Sequence, residues 1–435
     1  MQIGIANGIP LNHVVSEDDL IPVYDQSTGT EGYVNINALS TVVTREIGTF
    51  SWNSATSSPA GIASTEFIQG AVSIHRRMRR CVVNDAGVVQ YYLSATDSTK
   101  KADGSAAVIT GADGQVMVEI PKFYTRRSKA GTVTTWSISA TPLDGFAVHP
   151  AFVKDGVEVS FRYIGAYDAC VYDASAATYI SGTNLDDNTA NIDAANDTVA
   201  SVSGVYPMVG LTRAQFRTLA ANRGSGWRLA DFWLIQAVQM LYLVEHQTFY
   251  SQSVLGAGNT NGSYGAPSAV QADSPHTVAG ASNAWGNTST NGTQPSASAK
   301  PGTAYMSYRG IENLFGNCWS WVDGFNINNN RAYVSNTTAH FADDAASNYS
   351  SLGTPMVASD GYPTNNLDVD NAWLPASVGG STTTYWTDYY YQAGGWRVAG
   401  FGGSAYSGAN AGAFCWSLSD GSGIRARGVG SRLAR

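Results

Sequence analysis

Four cysteines, six histidines and two clusters of acidic and amide side chains are the residues of this chain with chemistry to offer beyond packing. Cys81, Cys170, Cys318 and Cys415 stand far apart with no Cys-x-x-Cys spacing. That pattern reads as small buried residues, not as a zinc site or a disulfide frame. The histidines are scattered, and no Ser/His/Asp spacing or convergent carboxylate pair accompanies them. His246, at the end of a predicted helix, reads as a C-terminal cap and not a base. The stretch 365–371 and the triplet Asp186-Asp187-Asn188 gather hard oxygen ligands suited to calcium, with Asp368 and Asp370 as weak candidates. Neither has the Asp-x-Asp-x-Asp-Gly loop with a distal Glu, and turn-forming Asx residues explain them equally well. The reading is therefore of a non-enzyme with no cofactor apart from a candidate structural calcium.

Composition narrows the classes further. Of 435 residues only 13% are Asp, Glu, Lys or Arg, against roughly 25% in an ordinary soluble domain. The place of charge is taken by Gly, Ser, Thr and Asn, with 46 glycines beside 11 Trp, 23 Tyr and 14 Phe. So many aromatics exclude a disordered chain. No uninterrupted apolar run reaches the length of a membrane span, and residues 1–10 lack the pattern of a secretory signal, so synthesis in a cytosol without export by that route is expected. A net charge of −8 argues against nucleic acid and against anionic membranes. The one basic run, His75-Arg76-Arg77-Met78-Arg79-Arg80, reads as a solvated strand whose arginines pair locally.

Elements that could position functional side chains follow from the pattern. Residues 1–60 carry short apolar pieces between Gly, Asn and Ser, too thin for a core of their own. Such a segment docks onto another body, intertwines with copies of itself, or serves as a leader. Strands are expected at 81–83, 88–93 and 115–120, the last ended by Pro121, and at 158–163, which alternates with period two. Two helices are convincing. Thr212-Arg213-Ala214-Gln215 has capping-box spacing, and Asp231 caps a run through Val244 with helical apolar spacing. Between Thr248 and Ala299 the only charged residue is Asp273, which predicts a long loop, functional or disordered. From Tyr305 to Arg435 short aromatic pieces and frequent glycine predict irregular β structure.

Three separated segments carry a resemblance. They are Gly226-Trp227-Arg228-Leu229 before the Asp231 helix; Gly310-Ile311-Glu312-Asn313-Leu314-Phe315-Gly316-Asn317-Cys318-Trp319-Ser320-Trp321; and Gly395-Trp396-Arg397-Val398 with Gly402-Gly403-Ser404-Ala405, running to Gly430-Ser431-Arg432-Leu433. In order and separation they resemble the C-type-lectin-like fold shared by formylglycine-generating (sulfatase-modifying) enzymes and retroelement-diversified phage receptor-binding proteins. Upstream, 114–124, 149–152 and 163–167 resemble the front strands of lectin-like domains in phage tail proteins. The likeness spans roughly residues 66–435. It implies an α+β lectin-like domain with two helices, an irregular sheet and long loops, behind a small β-rich N-terminal segment. The implied division is 1–60 for virion attachment and trimerisation and 61–435 for receptor binding. The latter comprises a front β region (66–180), helices (212–246), an insertion (248–304) and a variable region (396–435). Formylglycine-generating enzymes need two nearby C-terminal cysteines, and here Cys415 stands alone, so the enzymatic branch is not expected.

The stretch 402–435 resembles the variable region of proteins diversified by adenine-mutating retroelements. In that family the diversified codons begin as AAC or AAT, so Trp, Met, Gln, Glu, Lys and stop never arise at them. From Gly402 onward there is no Met, Gln, Glu or Lys, and Trp416 would be framework. The implied receptor-binding positions are Ser404, Tyr406, Ser407, Cys415, Ser417, Ser419, Asp420, Ser422, Ile424, Ala426 and Gly428. The implied framework is Trp227, Arg228, Trp319, Trp321, Trp396, Gly402, Gly403, Trp416 and Arg432, with the tryptophans as core anchors and Arg397, Arg425 or Arg432 holding loops through carbonyls. The resemblance implies a homotrimer in a phage tail tip or tail fibre, bound to other tail proteins through 1–60 and to a bacterial surface protein or glycan. A structural tail or baseplate component, or a bacterial surface-displayed lectin-like protein without diversification, is the alternative.

Overall fold

The capping box at Thr212 starts a helix at Arg213–Asn222: Gln215 N donates to Thr212 Oγ1 at 3.2 Å, and Thr212 N to Gln215 Oε1 at 2.8 Å. Asp231 caps Phe232–His246 by accepting Leu234 N at 3.1 Å. Every side chain of that second helix from Leu234 to Val244 is buried, so it runs through the core and not along the surface. Its two buried glutamines reach outward. Gln236 Oε1 accepts Trp373 N at 2.7 Å, and Gln239 Nε2 donates to Ala413 O at 2.8 Å. The C-terminal loops are thereby hung on the helix.

The computed structural model describes residues 46–64, 67–180, 184–270, 273–298 and 300–435, and the backbone of 3–5, 20–25 and 30–35. Within these the fold is mixed α+β, mostly strands in several small sheets with four α-helices. Ile3–Ile5, Leu20–Asp25 and Thr30–Asn35 form an antiparallel three-stranded sheet, the expected β-rich start. The expected boundary at 60 is corrected. Gly48–Asn53 pairs along its length with Val133–Ser139, Ile47, Phe50 and Trp52 are buried, and Phe50 stacks on Trp136 at 5.9 Å. Apolar side chains at 47–52 find their partners ninety residues on, so the main body begins near residue 47.

Two sheets dominate. One has six strands in the order Arg228–Leu229, Leu433–Ala434, Phe161–Gly165, Gln115–Pro121, Arg79–Val83, Val89–Tyr92. The other is built on Trp319–Asn328, which pairs antiparallel with Arg331–Val334 and with Trp396–Phe401, and parallel with Val429–Ser431. Trp396–Phe401 continues to Trp416–Asp420, and that strand to Tyr390–Gln392. The chain end therefore passes from one sheet to the other at Arg432, between Ser431 and Leu433.

Three further expectations change. The strand foreseen at 158–163 is two pieces, Val157–Glu158 in a hairpin with Val153–Lys154, and Phe161–Gly165 in the six-stranded sheet. The basic run is a solvated strand only in part: Arg79 and Arg80 open the strand Arg79–Val83 and Arg76, Arg77 and Arg79 are exposed, but Ser73–Arg76 is a helical turn, and His75 and Arg80 are fully buried. Arg80 lies inside because its guanidinium finds acceptors there, Gly310 O at 2.7 Å, Ser98 Oγ at 3.0 Å, Ser282 Oγ at 2.6 Å and Asn283 Oδ1 at 3.3 Å. The long insertion holds a helix at Ser251–Leu255 and a strand, Thr290–Thr293, paired with Ala304–Tyr308. From 305 onward no α-helix occurs among the described residues, as the composition there suggested.

Arg162 and Arg228 converge on one fully buried oxygen, Asp231 Oδ2, at 2.5 and 3.1 Å. Burial opposes ionisation of this carboxyl, but the two guanidiniums outweigh it and hold its pKa at about 2. Asp231→Ala leaves both cations uncompensated and removes the helix cap. A loss of about 3–5 kcal/mol is expected, read as a shift in the urea midpoint at pH 7; a loss below about 1 kcal/mol contradicts the assignment.

Candidate functional site

The C-terminal loop is organised from beneath by a buried knot. Arg432 donates to Asp168 Oδ1 at 2.5 Å and to the carbonyls of Gly165, Glu312 and Asn313 at 3.1, 2.9 and 2.9 Å. The other Asp168 oxygen accepts Asn317 Nδ2 at 2.8 Å. Asn317, held at φ +59°, accepts Asn259 Nδ2 and Thr277 N on its side-chain oxygen, each at 2.9 Å. Its main-chain oxygen accepts Ala405 N at 2.8 Å. One connected set of bonds thus joins the front sheet, the insertion, the tryptophan strand, the chain end and the 402–408 turn.

Above the knot, Gly402 and Gly403 reverse the chain at φ +92° and +87°. A Cβ on Gly403 would stand 2.7 Å from that of Ala411, so no other residue fits. The turn is tied down by backbone bonds: Gly402 N to Cys415 O at 2.9 Å, Gly316 N to Gly402 O at 3.1 Å, Gly262 N to Ala405 O at 2.6 Å and Gly408 N to Thr260 O at 2.8 Å. Asp388 supports the next bend, accepting Phe414 N at 2.8 Å and Ser251 Oγ at 3.3 Å. Farther on, His276 bridges Asn317 O and Arg427 O, each at 2.8 Å. A neutral imidazole donates from one nitrogen only, so both bonds close fully only in the protonated ring. Burial opposes that state and lowers its pKa.

The expected receptor-binding positions divide. Tyr406 is 69% exposed and Ile424 43%, two of the few large apolar side chains on the surface. Ser407, Ser419, Asp420, Ser422, Ala426 and Gly428 are partly exposed. Cys415, Ser404 and Ser417, at 0, 5 and 6% exposure, are buried and are corrected as contact positions. Cys415 precedes the strand Trp416–Asp420 and points inward beside Asp388, with its thiol pKa raised far by burial. Ser404 and Ser407 close a local turn, Ser404 N donating to Ser407 Oγ at 2.9 Å. Ser417 Oγ donates to Asp420 Oδ2 at 3.0 Å, and Ser422 donates to Asp344. A side chain at Gly428 would meet the Tyr264 hydroxyl at 2.7 Å, so variation there requires Tyr264 to move.

Among the framework residues, Trp227, Trp321 and Trp416 are fully buried, the first two donating to Asp85 O at 2.8 Å and Leu211 O at 3.0 Å. Arg228 is buried as well. Trp319 and Trp396 are half-buried at the ends of their strands: Trp319 packs against the core cluster of Trp321 and Val398 and meets Tyr391 at 6.0 Å, while Trp396 is corrected as a core anchor and meets Tyr333 at 5.8 Å. Of the three loop-holding arginines only Arg432 spans distant carbonyls. Arg397 donates to its neighbour Trp396 O, and Arg425 pairs with Asp187 at 2.9 Å on the surface. The calcium candidates face protein cations. Asp368 pairs with Arg127, and with Lys129 at 3.3 Å, while Asp370 lies 3.6 Å from Arg127. Protein cations already neutralise these carboxylates, and among the described residues no group of three or more His, Cys, Asp or Glu is placed to hold a metal.

Sequence reasoning missed the aromatic and polar surround. Tyr389 lies 4.5 Å from Tyr391 and 5.0 Å from Tyr362, and Asn410 bonds the hydroxyls of Tyr391 and Tyr362 at 2.7 and 2.5 Å. Tyr264 from the insertion stands 6.0 Å from Tyr406 with Arg427 over its ring. The run Tyr389-Tyr390-Tyr391 was the one available signal. What results is a surface of half-exposed tyrosines and small polar residues, suited to adaptable recognition. All four cysteines are buried, and burial drives their thiols away from the thiolate that redox chemistry needs. No protein-family model and no curated protein matches this chain.

Burial pushes the Asp388 carboxyl up to about 7, against the donors it accepts. Between its ordinary value and 7 the unfolded chain ionises this group while the folded chain keeps the proton, so stability falls as pH rises and levels off above 7. Asp388→Asn removes that decline. Urea unfolding at pH 5 and pH 8 is expected to show the wild type losing roughly 1–3 kcal/mol more than the variant over this interval; equal losses refute it.

Proposed function

We propose that the chain is a receptor-binding protein of a phage tail tip or tail fibre. In this reading its lectin-like domain meets the bacterial surface with the C-terminal loop, and side chains at outward positions of that loop are exchanged by retroelement-driven diversification. One observation carries the reading. The backbone of 402–435 is held by main-chain bonds, by Asn317 and by Arg432, while the Tyr406 and Ile424 side chains project outward. A surface built so can change its contacts without changing its fold. The subset Tyr406, Ser419, Ile424 and Ala426 fits diversification best, because their replacement breaks few framework bonds. Trimer formation and attachment through residues 1–60 belong to the same proposal, and multiple copies would raise weak individual contacts to firm adsorption. Side chains of 1–45 lie outside the described residues.

Substitution separates this from a packing role in the tail. Tyr406→Ala and Ile424→Asn are expected to leave the melting temperature within about 2 °C yet to lower adsorption to the host at least tenfold. Cys415→Tyr, by contrast, overfills a closed site and lowers stability by about 1–3 kcal/mol or more. Unchanged adsorption in both surface variants, or failure of antiserum against 402–435 to block it, favours the structural tail component. A near-copy of the 3′ coding end differing only at adenines, beside a reverse-transcriptase gene, is the expected genomic finding, and an isolated gene argues against diversification.

A further inference from the structure

A cavity of about 610 Å³, whose lining includes no residue of 402–435, is formed by residues 84–85, 110–115, Tyr172, Ala174, Tyr179, Asn196, Thr198 and Arg223. Its volume lies within the range of small-ligand sites, about 300–1,000 Å³. Tyr172 and Tyr179 face each other across the pair Cys170–Asp173 and Thr178–Ile180, with rings 5.1 Å apart edge to face. Neither hydroxyl has a hydrogen-bond partner among the described residues. Gln115 is 2% exposed, and its Oε1 accepts Ser201 N at 2.8 Å. That bond fixes the amide orientation, and the NH2 group, which has no partner among the described residues, remains for an occupant of the cavity.

The charges select among ligands. Arg223 is locked by Val199 O at 2.7 Å, Thr198 Oγ1 at 2.8 Å and Asp85 Oδ1 at 2.5 Å, so it orients the exposed Asp85 carboxylate and its charge is offset by it. Asp113 adds a second carboxylate, with one oxygen taken by the Tyr91 hydroxyl at 2.7 Å. Two carboxylates against one neutralised guanidinium disfavour anions. What remains are carboxylate acceptors for hydroxyl pairs, an amide donor, two phenols and aromatic ring surface. We propose that this cavity binds a neutral saccharide of one or two pyranose rings, as a glycan site separate from the C-terminal loop. Hydroxyls of the sugar bond Asp85, Asp113 and Gln115, and its C–H face lies on a tyrosine ring. The proposal stands whether or not the C-terminal loop is diversified.

The test is saturation-transfer NMR on the full chain with glucose, galactose, mannose, N-acetylglucosamine, maltose and lactose, and with glucuronate as the charged probe. Saturable binding of at least one neutral sugar is expected, with a Kd in the range of about 0.1–10 mM. Ala112→Trp, made at an exposed lining position, abolishes it without lowering the melting temperature. Tyr172→Phe and Tyr179→Phe, which keep the rings, weaken it about 2- to 10-fold where a hydroxyl is used, and Tyr406→Ala leaves it unchanged. The proposal is overturned if none of the six neutral sugars binds saturably, if glucuronate binds more tightly than all of them, if binding survives Ala112→Trp, or if Tyr406→Ala abolishes it.

Discussion

Arg432, Asp168 and Asn317 form the interaction on which the rest depends. The chain end crosses from one major sheet to the other at Arg432, and only a side chain with several donors in fixed geometry can bond three carbonyls and a carboxylate at once. Without that guanidinium the carbonyls of 165, 312 and 313 and the Asp168 carboxylate would be buried with reduced pairing. Because Asn317 is bound to the same carboxylate and also receives Ala405, the geometry of the surface turn follows from the interior. The loop inherits much of its shape from a buried polar network and not from its outward-facing side chains.

This organisation explains where the scarce charge resides. Arg80, Arg162, Arg213, Arg228 and Arg432 are buried, as are Asp168, Asp231, Asp323, Glu119 and Glu312. Arg213, for example, bonds Val322 O at 2.9 Å, Phe325 O at 2.6 Å and Asp343 Oδ1 at 2.7 Å, and Arg217 reaches Asp323 at 2.7 Å. Such networks add little net stability over apolar packing, but they penalise any arrangement that leaves a member unpaired. In a chain made largely of glycine-rich loops, that penalty pins irregular backbone that has few ladder bonds. The surface is correspondingly left to Tyr, Ser, Thr and Asn, which bond in many directions at low desolvation cost.

Legibility was uneven, for identifiable reasons. The Thr212 and Asp231 caps were readable because capping is satisfied within four residues. The strands expected at 81–83 and 115–120 were readable because β-branched runs and the turn residues that bound them are local. Less visible were Gly48–Asn53, assigned to the wrong body because its partner strand is far along the chain, and Arg80, whose four acceptors come from segments 98, 282, 283 and 310. Tyr264 and the 389–391 tyrosines escaped the candidate site because nothing near them in sequence marks them as neighbours of residues 404–428.

By itself, then, the sequence determined the two long helices, a few of the strands, the absence of paired cysteines and the low charge, since each depends on residue type or on contacts a few positions away. Tertiary structure alone decided that Cys415, Ser404 and Ser417 face inward while Tyr406 and Ile424 face outward, and that Asp368 and Asp370 pair with Arg127 and Lys129. It also brought Arg432, Asp168 and Asn317 into one knot. Burial and ion pairing are properties of the space between elements, and that space is set by long-range packing and polar satisfaction that no local pattern encodes.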